Sequence, residues 1–269
     1  MPKGISLHLG LNTVDPAHYA GWSGPLNACE ADAKDMHKLA VNCGFEATTL
    51  LTAAATRKAL LDRLAAAAAT LKSGDIFFLT NSCHGGQVPD TNKDETDKFD
   101  ETWCLYDAEL LDDELYKAFS AFAAGVRILM LSDSCHSGTV AKEAFFFGTG
   151  LRPAVSRAMP RDIALMTFLQ NEDFYTDLQK DTPKETKVKV KASVLLLSGC
   201  QDNQESSDGL RNGLFTATLL AVWKNGAFKQ GYKAFHKKIG SYMPPVQSPN
   251  YYFVGEPNPA FEKQIPFKI

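Results

Sequence analysis

Arg127-Ile128-Leu129-Met130-Leu131-Ser132-Asp133-Ser134-Cys135-His136-Ser137-Gly138 is an apolar run that stops at small polar residues, then a cysteine, a histidine and a glycine. A short apolar run with no alternation reads as a strand buried on both faces. Upstream, Asp75–Asn81 has the same character and ends in Asn81-Ser82-Cys83-His84-Gly85-Gly86, and downstream Ala192–Ser198 is a third such run. Helical spacing lies between them: Asn27–Asn42, Thr56–Leu71 with five alanines from Ala65 to Ala69, Asp112–Phe122, Leu214–Trp223 and Tyr232–Tyr242. Ile5–Leu11, Thr48–Leu51 and Tyr251–Val254 complete the strands. Doubly apolar strands alternating with helices predict an α/β fold whose mainly parallel sheet is sandwiched by helices on both faces. Such sheets gather ligands and catalytic groups where their strands deliver carboxyl ends.

The composition limits the alternatives. The 269 residues are 45% hydrophobic, 22% charged and 10% aromatic, which is ordinary globular usage. A net charge of -3 offers no global field for nucleic acid or an anionic membrane. No apolar stretch reaches the roughly 18 residues of a membrane span, and the start lacks a secretion signal, so a cytoplasmic protein is expected. With strand signals beginning at Ile5, no prodomain is expected and activation should lie within this unit. The six cysteines include no C-x-x-C pair and read as reduced thiols. Asp90–Glu114 holds eleven acidic residues against two lysines and reads as a long acidic loop. Residues 139–191 show weak periodicity, and Lys180–Lys191, with five lysines, reads as an exposed connector.

Two strand ends carry chemistry. His84 precedes Cys135 by 51 residues, room for one crossover between neighbouring parallel strands, so the two side chains can face each other across a cleft. A thiol is only slightly ionised at neutral pH and becomes a nucleophile beside a base such as His84. The N–H groups of Cys135 and of Gly85 or Gly86 are candidates to hold the oxyanion of an attacked carbonyl. Together these groups point to acyl transfer. Cys29, Cys43, Cys104 and Cys200 read as packing thiols, while Cys83 is divided between packing and a redox role. Two other classes compete: an inactive scaffold or interaction module, and a zinc site built from Cys83, His84, Cys135 and His136, although adjacent ligands chelate poorly.

The His-Gly-Gly and Asp-Ser-Cys-His-Ser-Gly motifs, about 50 residues apart, resemble the caspase-like cysteine peptidases and their metacaspase branch in particular. Leu26–Met36 (LNACEADAKDM), Phe99–Asp107 (FDETWCLYD), Leu197–Asp208 (LSGCQDNQESSD) and Gly213–Leu220 (GLFTATLL) extend the likeness to about residues 4–255. The resemblance implies a caspase-type single domain over 1–269, with a large part to about 180, a connector to about 191 and a small part beyond. It implies that His84 is the base and acid, Cys135 the nucleophile, and that the enzyme cuts proteins or peptides after Arg or Lys with no cofactor needed for the chemistry. The acidic first pocket of the family corresponds to Asp32, Ser82 and Asp133. A cationic side chain entering a partly desolvated pocket needs fixed carboxylates, which agrees. Self-cleavage is expected in the 180–191 connector. The family's calcium site corresponds to Asp112 and Asp113, but Lys142 stands where a further carboxylate ligand would, which argues against tight calcium binding. Cys83 replaces the glycine usual before the catalytic histidine.

Overall fold

The computed structural model describes residues 1–91, 98–134, 155–182, 188–199, 208–209, 211–244 and 247–269. Six strands form the main sheet in the order β2 (Glu46–Leu51), β1 (Gly4–Gly10), β3 (Ile76–Ser82), β7 (Arg127–Ser132), β8 (Ser193–Ser198), β9 (Asn250–Gly255). All neighbours are parallel except β8 and β9. The apolar runs become buried strands because alternate side chains feed opposite cores. Phe77 and Leu79 of β3 and Ile128 and Met130 of β7 join one core, with Leu60 and Leu64 of helix α2 (Arg57–Thr70) and Leu115 and Phe119 of α3 (Asp112–Ser120). Ile76, Phe78, Leu129 and Leu131 join the other. It is closed by α1 (Cys29–Asn42), α6 (Leu214–Trp223), α7 (Tyr232–Gly240) and the short α8 (Pro259–Lys263).

Two expectations are corrected. The acidic stretch is not one long loop: Phe99–Cys104 (β5) and Glu109–Leu111 (β6) pair antiparallel with Gly85–Pro89 (β4) in a three-stranded sheet. Acidic residues hid the strands, since Asp100 and Glu109 are themselves buried. The weakly periodic region 139–191 contains α4 (Arg161–Gln170) and α5 (Glu172–Asp181) among its described residues. Only Ala164, Thr167 and Phe168 of α4 are buried, too few to impose an apolar stripe. No helix among the described residues is long and apolar enough to cross a membrane.

Register positions the site. Ser82 pairs with Gly10, Asn81 with Ser132, and Ser132 with Ser198, so the carboxyl ends of β1, β3, β7 and β8 lie level. The Asp133 N–H donates to the Asn81 carbonyl at 2.8 Å, which carries the pairing one residue past β7.

Candidate active site

His84 follows the end of β3 and is buried. Its Nε2 lies 3.1 Å from the Gly24 carbonyl oxygen, which can only accept, so Nε2 carries the proton. In the neutral ring Nδ1 is then the lone-pair nitrogen, and it has no hydrogen-bond partner among the described residues. Burial pushes the imidazole pKa down to about 4, with the Gly24 contact partly opposing it, so the ring is neutral at physiological pH and able to accept a proton. The Trp22 ring packs against it, centroids 4.7 Å apart. Gly24 adopts φ +51°, and a Cβ there would fall 2.7 Å from the Trp22 ring. The carbonyl that fixes the His84 tautomer therefore depends on glycine.

Cys135 directly follows Ser134 but lies outside the described residues, as do His136 and Lys142. Cys83 is buried. Its Sγ donates to the His84 carbonyl at 2.9 Å, accepts from Asn81 Nδ2 at 3.1 Å, and lies in the core that includes Leu7 and Leu79. Burial pushes this thiol up to about 12. Its burial in the core favours the packing reading of Cys83, and the zinc reading also needs Cys135 and His136, which lie outside the described residues.

The three pocket residues converge. Asp32, in the first turn of α1, accepts from the Ser82 hydroxyl at 2.8 Å, and all three of Asp32, Ser82 and Asp133 are buried. Between them lies the guanidinium of Arg157, whose side chain is 0% exposed. Nη2 is 2.8 Å from Asp32 and 3.0 Å from Asp208, while Nη1 is 3.0 Å from the Asp133 carboxylate and 2.8 Å from Ser82 Oγ. Burial would lower the Arg157 pKa, but the facing Asp133, Cys29 and Asp32 raise it instead. Burial and Asp133 together raise the Asp32 carboxyl, with Arg157 partly opposing them. Gly213 completes the cradle: a Cβ there would lie 2.5 Å from Asp133 Oδ2 and 2.6 Å from both terminal nitrogens of Arg157. Its N–H donates to Asp32 at 3.0 Å, and Thr216 donates to Asp133 through its hydroxyl at 2.9 Å.

Sequence reasoning did not assign Asp208, Arg157, Gly24 or Gly213 to the site. Asp208 accepts from the Asn27 and Ala28 N–H groups at 2.7 and 3.2 Å, tying the chain before α1 to the pocket. The one signal for it was the acidic end of the small-part motif, LSGCQDNQESSD.

Of the two candidate oxyanion glycines, Gly85 donates its N–H to the Arg157 carbonyl at 2.9 Å, and Gly86 stands opposite Thr102 in the β4–β5 ladder. Asp112 and Asp113 open α3. The Asp113 N–H donates to Asp112 at 2.9 Å, and burial beside Glu101 and Asp113 pushes the Asp112 carboxyl up to about 8. Among the described residues no group of three or more His, Cys, Asp or Glu side chains is placed to hold a metal ion.

A sequence profile described as the caspase domain matches residues 13–267. The chain belongs to the caspase-domain family. Within that family it is metacaspase-like: curated metacaspases match at 27–29% identity over most of the chain. Metacaspase-1 of Kluyveromyces lactis is 27% identical across 86% of this chain, which spans 60% of that relative's length. The crystal structure of protein GSU0716 from Geobacter sulfurreducens is 57% identical over 99% of both chains, with a TM-score of 0.92. Caspase-1 from Spodoptera frugiperda, at 11% identity and a TM-score of 0.56 over 94% of this chain and 88% of its own, shares the fold.

Proposed function

We propose that this caspase-domain chain is a cysteine endopeptidase that cleaves after Arg or Lys, with His84 as general base and acid and Cys135 as nucleophile. The observation that carries the specificity is a guanidinium held at hydrogen-bond distance by Asp32, Asp133 and Asp208 in a fully buried pocket. Three carboxylates against one cation leave the pocket anionic, so it accepts Arg or Lys and repels a substrate aspartate.

Chemically, neutral His84 takes the thiol proton through Nδ1, and the thiolate attacks the carbonyl that follows the basic residue. The Gly85 N–H meets the developing oxyanion. His84 returns the proton to the departing amine, and water hydrolyses the thioester. The chain acts as one peptidase domain over 1–269, and its 180–191 connector is a further candidate for self-processing.

Fluorogenic peptides ending in Arg, Lys or Asp, assayed with and without calcium, test the reading. Turnover of the first two, abolished in Cys135→Ala and His84→Ala, is expected. Turnover of the Asp peptide, or turnover that survives in Cys135→Ala, refutes it. A folded protein inert on all three is the result a scaffold would give.

A further inference from the structure

α6 and α7 pack together and leave between them an open groove of about 570 Å³. Its apolar lining comes from Val222 of α6, Phe228 of the connection and Tyr242 just past α7. Its charged lining is Lys224, Lys237 and Lys238, and among the described residues no carboxylate borders it. Val222 and Phe228 are half-buried, whereas the three lysines and Tyr242 are exposed. The groove is therefore apolar at depth and cationic at its rim.

From Gly209 to Gly255 the sequence holds six Lys or Arg and no Asp or Glu, so a chain of net charge -3 carries -9 in its remaining residues. Ordinary helix chemistry accounts for part of this. α7 buries Tyr232, Phe235 and Ile239 in the core, and lysines in its last turn complement the helix dipole. It does not account for Lys224, which ends α6 in the left-handed region at φ 47°, where glycine or asparagine is usual. Nor does it account for the missing counter-charges. Lys233 pairs with Glu262 at 3.1 Å, while Lys224, Lys237 and Lys238 have no ion-pair partner among the described residues. Lys233 and Lys237, four residues apart, repel each other along α7. Lys238 Nζ stands 4.7 Å from the centre of the Tyr242 ring and steadies that ring at the edge of the groove.

We propose that this groove docks an acidic segment of a partner protein: a large apolar side chain enters between α6 and α7, and Asp or Glu residues beside it pair with Lys224, Lys237 and Lys238. Charge complementarity selects this occupant, with the apolar anchor supplying affinity and the charges supplying register and encounter rate. A concave apolar lining suits an inserted side chain. A lipid surface is met by protruding apolar groups, and of those lining this groove only Tyr242 is largely exposed, at 63%. Single-stranded nucleic acid stacks on a row of aromatic rings, and the groove offers one exposed ring. The acidic pocket lies at the other end of α6, where the Gly213 N–H donates to Asp32. Ten helical residues separate the two by roughly 15 Å. Docking in the groove is thus independent of the peptidase reading above.

Fluorescence anisotropy on the full chain tests this with a fluorescein-labelled peptide of Glu and Ser around a central Phe-Leu pair, which contains no Arg or Lys to be cut. Saturable binding that weakens as salt rises is expected. Lys237→Glu combined with Lys238→Glu should weaken it about tenfold or more. Lys224→Glu, in a different element, should weaken it about threefold or more and serves if the double variant melts abnormally. Lys58→Glu on α2, another exposed lysine, should leave binding within about twofold. Peptides with Gln for Glu, or with Ser-Ser for Phe-Leu, should each bind about tenfold more weakly. Absence of binding to wild type, unchanged binding by the groove variants with normal melting, or equal binding of the Ser-Ser peptide overturns the proposal. So does the finding that phosphatidylserine vesicles or an oligothymidylate, but not the peptide, bind through these lysines.

Discussion

Replacing Asp32 by Asn separates a pocket that selects substrate from one that merely holds the fold. The Asp32 carboxylate accepts from Arg157 Nη2 and the Ser82 hydroxyl at 2.8 Å, and from Asn212 Nδ2 and the Gly213 N–H at 3.0 Å. An amide keeps one of the two oxygens and turns N–H groups toward the others' donors. A hydrogen bond to a charged group contributes about 1.5–3 kcal/mol. At about 1.4 kcal/mol per tenfold, kcat/KM for an Arg peptide should fall about 10- to 150-fold. A peptide with norleucine in place of Arg gains nothing from the carboxylate and should change by less than about threefold. In the intact chain the same loss weakens the hold on Arg157, and a melting temperature lower by about 3–12 °C is expected at about 2–4 °C per kcal/mol. Steady-state kinetics on the two peptides and a thermal melt of Asp32→Asn read out both effects. Equal losses for Arg and norleucine peptides would refute the reasoning, because Asp32 would then support the fold without meeting the substrate.

Further outcomes follow from neighbouring residues. Burial pushes the Glu109 carboxyl up to about 7, despite hydrogen bonds from Thr102 and Tyr175. A raised carboxyl contributes stability that is present below its ordinary pKa of 4.5 and is lost as pH rises through 7. Urea midpoints should therefore show wild type losing about 3 kcal/mol relative to Glu109→Gln between pH 4.5 and pH 8, and parallel curves for the two would count against it. Gly213→Ala drives a methyl into Asp133 and Arg157. It should cost about 1–3 kcal/mol in chemical denaturation and suppress Arg-peptide turnover, and normal values of both would show that the cradle is not needed. Cys83→Ala should cost about 0.5–3 kcal/mol yet retain both peptide turnover and rapid iodoacetamide labelling, the latter vanishing in Cys135→Ala. Loss of labelling in Cys83→Ala would reassign the reactive thiol.

The candidate base His84 was legible from its place just beyond an apolar strand, whereas Asp32, Ser82 and Asp133 were assigned to a pocket through the family resemblance, and the structure brings these three together. His84 and Asp133 lie just beyond apolar strands, Ser82 ends one, and Asp32 opens a helix of mixed polarity. The small antiparallel sheet was not legible, because buried Asp100 and Glu109 read as solvent-facing charges until their partners were known.

What the sequence by itself determined was the periodicity: which runs are doubly buried, where they stop, and so which residues stand at the carboxyl edge of a parallel sheet. Burial and backbone pairing act over a few residues and leave their mark in local spacing. Only the tertiary structure decided who fills the pocket. Arg157 lies 125 positions from Asp32 and 51 from Asp208, and nothing in the sequence around any of them announces that pairing. A buried charge takes whatever opposite charge the folded chain brings within reach, and that choice belongs to the closure of loops in three dimensions.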